Sequence, residues 1–354
     1  MSSAIAVRIG DAIFQGWTSV TVTTSLGLVA ASVQFSGASA PARTIRTSEE
    51  IEVLHGDQRV FRGYMDDLEL AITRDATSFN ASGRSLSADL VDSQIDPIGG
   101  PGPAKNQTIE GLVIRYAGAL SPRIPIDTSL LASTARIPDF AYGTGETYWA
   151  AIERALRTDG VLATAGADGG IKLVSPNRFE RLPLLLREGE NVTSMRAVTS
   201  FKERAHFSVA RGQGSPAGDW ESSLEVLGEA IDQAIRKSRV HVFQVEGQPT
   251  EAECAARAAW EQAIRAARGS RVTVGVPSWS YGVDGATFRP GLIAPVALPS
   301  IGISGSMVID AVQLVQDENG RRSILSLVRK DAYQPQPQLS AESDTVASSW
   351  EGEA

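Results

Sequence analysis

The hydrophobic period of this chain changes twice, and no other feature restricts its fold as much. In residues 1–90 apolar side chains alternate with polar ones. Val20 and Val22 alternate with Ser19, Thr21 and Thr23, behind a Gly16 turn and Trp17. Ile51 and Val53 alternate with Glu50 and Glu52, ahead of a turn at His55-Gly56-Asp57. A period of two places one face of a strand on a core. Val60 to Ile72 reads as a long strand with Leu68, Leu70 and Ile72 on one face, and Phe79-Asn80-Ala81 leads into Gly83. Short strands punctuated by turns at this spacing predict a small barrel or sandwich.

In the middle the period becomes helical. Ile109, Leu112, Val113, Tyr116, Ala117 and Leu120 follow the 3.6 repeat, with Asn106 or Thr108 as the cap, after a Pro- and Gly-rich breaker at 97–103. A second helix is expected over Glu146–Arg157, burying Trp149, Ile152 and Leu156. Residues 161–164 and 171–174 flank Asp168-Gly169-Gly170, a hairpin turn. Alternation returns over 191–213, with a loop at 212–219. Leu224, Leu227, Ile231 and Ile235 fit a helix. Thr250 to Glu253 is a capping box. It opens an Ala-rich helix with Ala256, Trp260, Ala263 and Ala267 along one stripe, small residues suited to close approach. β-structure resumes at Val272 and runs through Val328.

These segments predict an α+β, mainly β chain. A first β-barrel domain covers 1–90 and an α+β domain 91–190. A second barrel combines 191–212 with 270–333 and is interrupted by a helical insertion at 213–269. The tail at 334–354 carries four acids, no base and one large apolar group near its end, Trp350. It cannot bury enough apolar surface to offset its own ordering entropy, so it is expected either to be a disordered, solubilising linker or to order only on a partner, with Trp350 as the candidate anchor.

Charge and composition then exclude functions. Across 354 residues, 33 Lys and Arg face 41 Asp and Glu, a formal charge of −8. That argues against binding driven by phosphate neutralisation. The one cysteine, Cys254, can form no intrachain disulfide; although it lies in the first turn of a helix, a packing role is preferred to a reactive one. The uncharged stretches 12–42 and 290–309 hold too many Ser, Thr, Gly and Pro for a membrane helix, and the N-terminus shows no secretory signal. Three sequons (Asn80, Asn106, Asn191) carry little weight without a secretory route. His55, His206 and His241 have no metal-ligand spacing, Gly212-x-Gly214 has the wrong spacing for a dinucleotide, and no phosphate loop or nucleophile elbow occurs. Asp66 and Asp67, neighbours in a strand, should face opposite ways. Asp89 and Asp92 could share a helical face and pair with Arg84, as an ion pair or cap rather than as a catalytic acid and base.

Two stretches carry a resemblance. Residues 7–24 include Gly16 and Trp17; residues 60–92 include Gly63, Gly83, Arg84, Ser85, Asp89, Leu90 and Asp92. Together they resemble the baseplate hub protein P family of Mu-like contractile-tailed phages, within the T4-type tail hub superfamily. The order of later segments extends the likeness: Gly145-Glu146-Thr147, the Ala- and Arg-rich helix ending in Trp260-Glu261, Phe288-Arg289-Pro290, and Leu327-Val328-Arg329 with Ala332-Tyr333. Gly291 departs from the Asn frequent in the family, and 290–309 lacks the charges common there. The resemblance spans about residues 5–333.

What the resemblance implies is a structural virion protein, assembled in the host cytoplasm. It implies a homotrimer whose subunits each contribute two related β-barrels to a ring of six. Such a ring adapts a sixfold tail tube to a threefold central spike. The implied partners are the tube or tube-initiator protein, the spike, the baseplate wedges and the tape measure protein. No catalytic residue, cofactor, metal, sequence-specific nucleic acid or stable membrane insertion is expected. Within that family the quoted residues are structural, and Arg84 is expected to hold Asp89 or Asp92. The alternatives are the equivalent hub of a tailocin, gene-transfer particle or other injection machine, and a cell-wall hydrolase of the same particle.

Overall fold

The computed structural model describes residues 4–38, 46–74, 77–133, 135–213, 225–282 and 285–337. The tail beyond residue 337, with Trp350, lies outside the described residues, as does most of the expected 212–219 loop. The chain forms two compact units, one from residues 1–200 and 267–335, the other containing 201–266.

The larger unit begins with β1 (Ile5–Ile9), β2 (Ala12–Phe14), β3 (Trp17–Ser25), β4 (Ser32–Gly37), β5 (Glu50–His55), β6 (Gln58–Ile72) and β7 (Thr77–Ser85), then a short helix, α1 (Ala88–Asp92). Its middle holds β8 (Ala104–Thr108), α2 (Ile109–Ala117), β9 (Ile126–Leu130), β10 (Arg136–Phe140), α3 (Tyr148–Arg157), β11 (Leu162–Ala165) and β12 (Ile171–Val174). The short strands β13 (Glu180–Arg181) and β14 (Leu186–Arg187) lead to β15 (Ser194–Thr199). The smaller unit contributes β16 (Phe207–Gln213), β17 (Glu225–Ile231), β18 (Val240–Gln244) and most of α4 (Glu251–Arg268). The chain returns to the larger unit as β19 (Ser270–Val276), β20 (Leu292–Leu298), β21 (Ile303–Asp317) and β22 (Gly320–Val328).

Both β regions join one 14-stranded sheet, ordered β15-β19-β22-β21-β3-β4-β7-β6-β5-β1-β2, with β20 on the first half of β21 and β13 and β14 beside β20. Within this order lies a repeat. The run β3-β4-β7-β6-β5 and the run β15-β19-β22-β21-β20 have the same neighbours, and every pairing in both is antiparallel. The long strand of each run carries a register shift at the same place, between Met65 and Asp67 in β6 and between Ile309 and Ala311 in β21. The sixth strand differs: β1 is antiparallel to β5, whereas β13 and β14 are parallel to β20. The mainly β fold expected from the sequence is present, but among the described residues neither run closes into a barrel. The physical reason is the second edge of β3: it hydrogen-bonds β21 over Val20–Ser25, so it closes nothing in its own half.

The core between the sheet faces comes from both runs, with Val20, Val22, Val33 and Phe35 beside Val272, Val274, Leu325 and Leu327. Each such side chain fully removed from water contributes roughly 1.5–3 kcal/mol. Trp279 is fully buried there and donates its indole N–H to the Val315 carbonyl at 2.9 Å. The middle region has its own core under α2 and α3. Thr108 caps α2 by accepting from Gly111 N at 3.0 Å, and Thr147 caps α3 by accepting from Ala150 N at 3.2 Å. The buried aromatic at the start of α3 is Tyr148; Trp149, expected there, is only partly covered because it lies one residue, about 100°, around the helix.

In the smaller unit β16 is the central strand, antiparallel to β17 and parallel to β18. Two expectations fail here. The 191–212 segment divides: β15 belongs to the large sheet, while β16 belongs to this one. The helix expected from Leu224 to Ile235 is, over the described residues 225–235, β17 and a turn; Leu224 lies outside the described residues. Leu227 and Ile231 have helical spacing, but Gly228 between them weakens a helix and serves a strand. A Cβ at Gly228 would lie 2.1 Å from the Ala255 backbone nitrogen, so only glycine permits this contact with α4. The stripe of α4 that packs is Cys254 and Ala258, then Ile264 and Ala267, not Ala256, Trp260 and Ala263. A helix with so many alanines offers several similar stripes, and the partner surface selects among them. The capping box forms as expected, with Glu253 accepting from Thr250 N at 2.7 Å and Thr250 Oγ1 accepting from Glu253 N at 3.3 Å.

Candidate functional site

The polar residues of the 60–92 stretch converge on the bulge in β6. Asp66 is the extra residue there, opposite no residue of β7. Arg84 donates from Nε to Asp66 at 2.7 Å and through its two terminal nitrogens to Asp92 of α1 at 3.1 and 2.6 Å. The bulge is thereby tied to the helix that follows β7. Hydrogen bonding to Asp92, then to Asp66, raises the Arg84 pKa, and the same bond holds the Asp92 carboxyl below its usual range. Asp89 makes no bond to Arg84; burial, then the charge of Asp92, pushes its carboxyl up. Asp67 accepts from Ser82 Oγ at 3.3 Å. Ser82 and Arg84 lie two apart on β7, so Asp66 and Asp67 share a face, contrary to simple alternation, because the bulge shifts the pleat by one.

The glycines of this stretch set the approach of the strands. A Cβ on Gly63 would lie 2.0 Å from the Arg84 carbonyl oxygen, and one on Gly83 would lie 2.2 Å from that of Tyr64. Ser85 is buried; its hydroxyl accepts from Ala31 N at 3.0 Å and meets Ser87 Oγ at 2.8 Å, which in turn donates to the Val29 carbonyl at 2.6 Å. Leu90 is fully buried in the core of the middle region. Gly16 has φ +103° just ahead of half-buried Trp17.

The second repeat carries an equivalent clamp that the sequence reading missed. Asp310 is the extra residue of the β21 bulge. It accepts from Arg271 of β19 at 3.0 Å and from the Tyr333 hydroxyl, in the turn following β22. Burial, then the bond to Asp310, raises the Tyr333 pKa. Asp66 and Asp310 precede Gly83 and Leu327, their cross-bulge neighbours, by the same interval, so the two hairpins align without a gap. That constant offset was the available signal.

The other family-pattern residues are dispersed. Arg289 pairs with Glu180, and Pro290 is buried beside it. Gly291 has φ +82°, a conformation that Gly and Asn both tolerate, so the departure from Asn preserves the backbone. Arg329 pairs with Asp331 at 2.7 Å. In the smaller unit, Trp260 is half-buried with the Arg257 guanidinium 5.0 Å from its ring centre. Cys254 is buried, and burial pushes its thiol up, away from the thiolate. Among the described residues no cluster of three His, Cys, Asp or Glu could hold a metal ion, and no helix is long and apolar enough to cross a membrane.

Chemically, a guanidinium between two carboxylates does not exchange protons near neutral pH. Both clamps act mechanically, fixing a bulge to the segment leaving its hairpin. A sheet run built twice, with its polar residues used as struts, defines a structural assembly subunit. Comparison with known proteins points the same way. Residues 4–85 match the N-terminal domain of Mu phage baseplate assembly protein GpP-like, 87–175 the second domain of baseplate hub protein gp44-like, and 250–336 the fourth domain of Mu phage baseplate assembly protein GpP. Baseplate hub protein gp44 of Escherichia phage Mu is 26% identical over 345 residues, covering 94% of this chain and 89% of that one. The 43 kDa tail protein of prophage MuSo2 from Shewanella oneidensis has the same fold, with TM-score 0.78 at 23% identity, covering 94% of this chain and 99% of that one. So does a tail protein from Neisseria meningitidis MC58, with TM-score 0.77 at 18% identity and 95% and 99% coverage. Domains of Mu-type baseplate hub proteins thus match most of the chain in order, and these matches support a baseplate hub role, that of a structural component of the virion tail.

Proposed function

We propose that three copies of this chain form the hub ring of a contractile-tail baseplate, adapting the sixfold tail tube to the threefold central spike. The observation that supports this most is the twice-repeated five-strand run. A chain with two quasi-equivalent halves presents six similar faces in a ring of three, while the parts outside the repeat, the sixth strands and the insertion between β15 and β19, remain threefold. One side of the ring then suits the tube or tube-initiator protein and the other the spike. Wedge proteins take the periphery, and the tape measure protein contacts the axis. The −8 charge keeps a passing polyanion from adhering.

The reading is of binding without turnover, in the virion after assembly in the host cytoplasm. Its support is the way carboxylates are used. In the pocket beside Thr164, Lys172 and Arg289, Asp127 is held by Lys172 Nζ at 2.6 Å rather than left free as an acid or base. Native mass spectrometry tests the proposal: a species of three chains that captures tube and spike proteins is expected. A monomer with and without those proteins overturns it, and peptidoglycan cleavage by the purified chain overturns the absence of turnover.

A further inference from the structure

The three-stranded sheet of the smaller unit has one covered face and one bare one. Ala210 and Gly212 of β16, Gly228 of β17 and Phe243 of β18 lie against α4. The alternate positions therefore point away from it. In register they make three rows: Ile231–Phe207–Val240, Glu229–Val209–Val242 and Leu227–Arg211–Gln244. Leu227, Ile231, Val240 and Val242 are 49%, 50%, 57% and 51% exposed, and Phe207 and Val209 between them are half-buried. Alternation ordinarily gives a sheet's bare face to polar residues. Here most of the bare face is apolar, and one row is entirely so.

That apolar row borders unpaired positive charge. The 232–239 segment carries the chain from β17 to β18 past the start of β16, where the His206 carbonyl accepts from Asp232 N and the His206 N–H donates to the Arg239 carbonyl, both at 2.8 Å. Asp232 is held by Arg204 at 2.5 Å, and Arg239 donates to the carbonyls of Phe201 and Lys202. Arg236 and Lys237 are exposed and have no acidic partner among the described residues. At the other end of the face Arg211 is already paired with Glu225 at 2.6 Å.

We propose that residues 338–354 of the same chain cover this face, with Trp350 on the Ile231–Phe207–Val240 row and Glu351 and Glu353 beside Arg236 and Lys237. The contact belongs to a single chain and does not depend on the ring. An exposed apolar patch of this kind marks a docking site, and the tail complements it in chemistry and in length. The tail carries Glu342, Asp344, Glu351 and Glu353 and no base, so its charge opposes that of the two free cations. Its one large apolar group stands next to two of those acids, as the apolar row stands next to those cations. A docked tryptophan removes roughly 150–250 Å² from water, the burial that the tail lacks within itself. The stretch from 338 to 350 extends up to about 43 Å, whereas three strands about 4.8 Å apart make a face only about 10 Å across. A tether also gives this segment an effective concentration that a free partner must match.

The test uses the full chain with Val240→Cys, a change of similar size at an exposed site, and times its reaction with a thiol reagent; native Cys254 is fully buried. Labelling is expected to be at least tenfold slower than in the same chain carrying Trp350→Ala as well. Arg236→Glu with Lys237→Glu should speed it at least threefold. Ile98→Cys, at a site 96% exposed in the larger unit, is the control and should label at one rate with or without Trp350. Trp220→Ala, in the segment that joins β16 to β17 at the opposite end of the face, should leave Val240→Cys slow. From the tail's side, a glutamate-specific protease should cut after Glu342 at least tenfold faster in Ile231→Asp with Val240→Asp than in wild type, with an unchanged circular dichroism spectrum because both sites are exposed. Val240→Cys that labels as fast with the intact tail as with Trp350→Ala overturns the proposal. Slow labelling that survives Trp350→Ala, that is relieved by Trp220→Ala instead, or that vanishes on dilution assigns the face to another occupant and overturns it equally.

Discussion

Gly63→Ala should be among the most damaging single-methyl changes in this protein. The added Cβ would sit 2.0 Å from the Arg84 carbonyl oxygen and 2.8 Å from the Ser85 Cα, whereas ordinary contact begins near 3.4 Å. Both obstacles are backbone of the paired strand, so no rotamer relieves them. β6 and β7 must part locally by about 1.4 Å, enough to break ladder bonds that tolerate only about 2.7–3.2 Å between heavy atoms. Overpacking costs roughly 1–3 kcal/mol, and each lost ladder bond adds about 0.5–1.5 kcal/mol, so about 3 kcal/mol is expected. The matched control is Gly302→Ala. Gly302 has φ +68° with nothing within 4 Å of its ideal Cβ, so only backbone strain of about 1–2 kcal/mol applies. At roughly 2–4 °C per kcal/mol in a domain of this order, scanning calorimetry should show Gly63→Ala melting about 6–12 °C below wild type. Gly302→Ala should lose about one to two thirds of that. Equal losses in the two variants, or a Gly63→Ala protein melting within a degree of wild type, would refute the claim that close strand approach is what this glycine serves.

Arg84→Ala should cost only about 1 kcal/mol, because the side chains of Arg84 and Asp92 are 38% and 52% exposed and solvent screens the pair. A double-mutant cycle with Asp92→Asn should return a coupling of about 0.5 kcal/mol, and Arg84→Lys should not restore it, since an ammonium cannot reproduce the fork. Burial alone would raise the Asp127 pKa, but hydrogen bonds from Lys172 and Ser129 hold it down at about 2. A depressed carboxylate stabilises above its unfolded pKa of about 3.9 and loses that contribution as pH falls through the folded value. The melting difference between wild type and Asp127→Asn should therefore shrink between about pH 4 and 2; a difference that grows toward acid contradicts the assignment. Cys254, buried against β17, should react with a thiol reagent only on unfolding, and rapid labelling of the native chain would show the packing to be wrong.

What could be read in the sequence was local. Thr108, Thr147 and the Thr250–Glu253 box mark helix starts because each cap is made within three residues. The strands were legible from alternation, and the turn at Gly56 from its neighbours. Pairing was not legible. β3 meets β21 from the far end of the chain, and no local pattern encodes a contact so distant in sequence. The 225–231 segment misled for a related reason: Leu227 and Ile231 imitate a helical face, while Gly228 is explained only by α4 packed against it. Asp66 shows the limit of alternation, since one unpaired residue reverses which side chains share a face. The family resemblance located Arg84, Asp92 and the two glycines but not the second clamp. There the acid is kept, Asp310 for Asp66, while its partners change from Arg84 of the same hairpin to Arg271 and Tyr333, which reach the bulge from β19 and from beyond β22. A repeat that preserves where the strut is needed, and not which residue supplies it, is legible in strand order and bulge position. It is nearly invisible in residue identity.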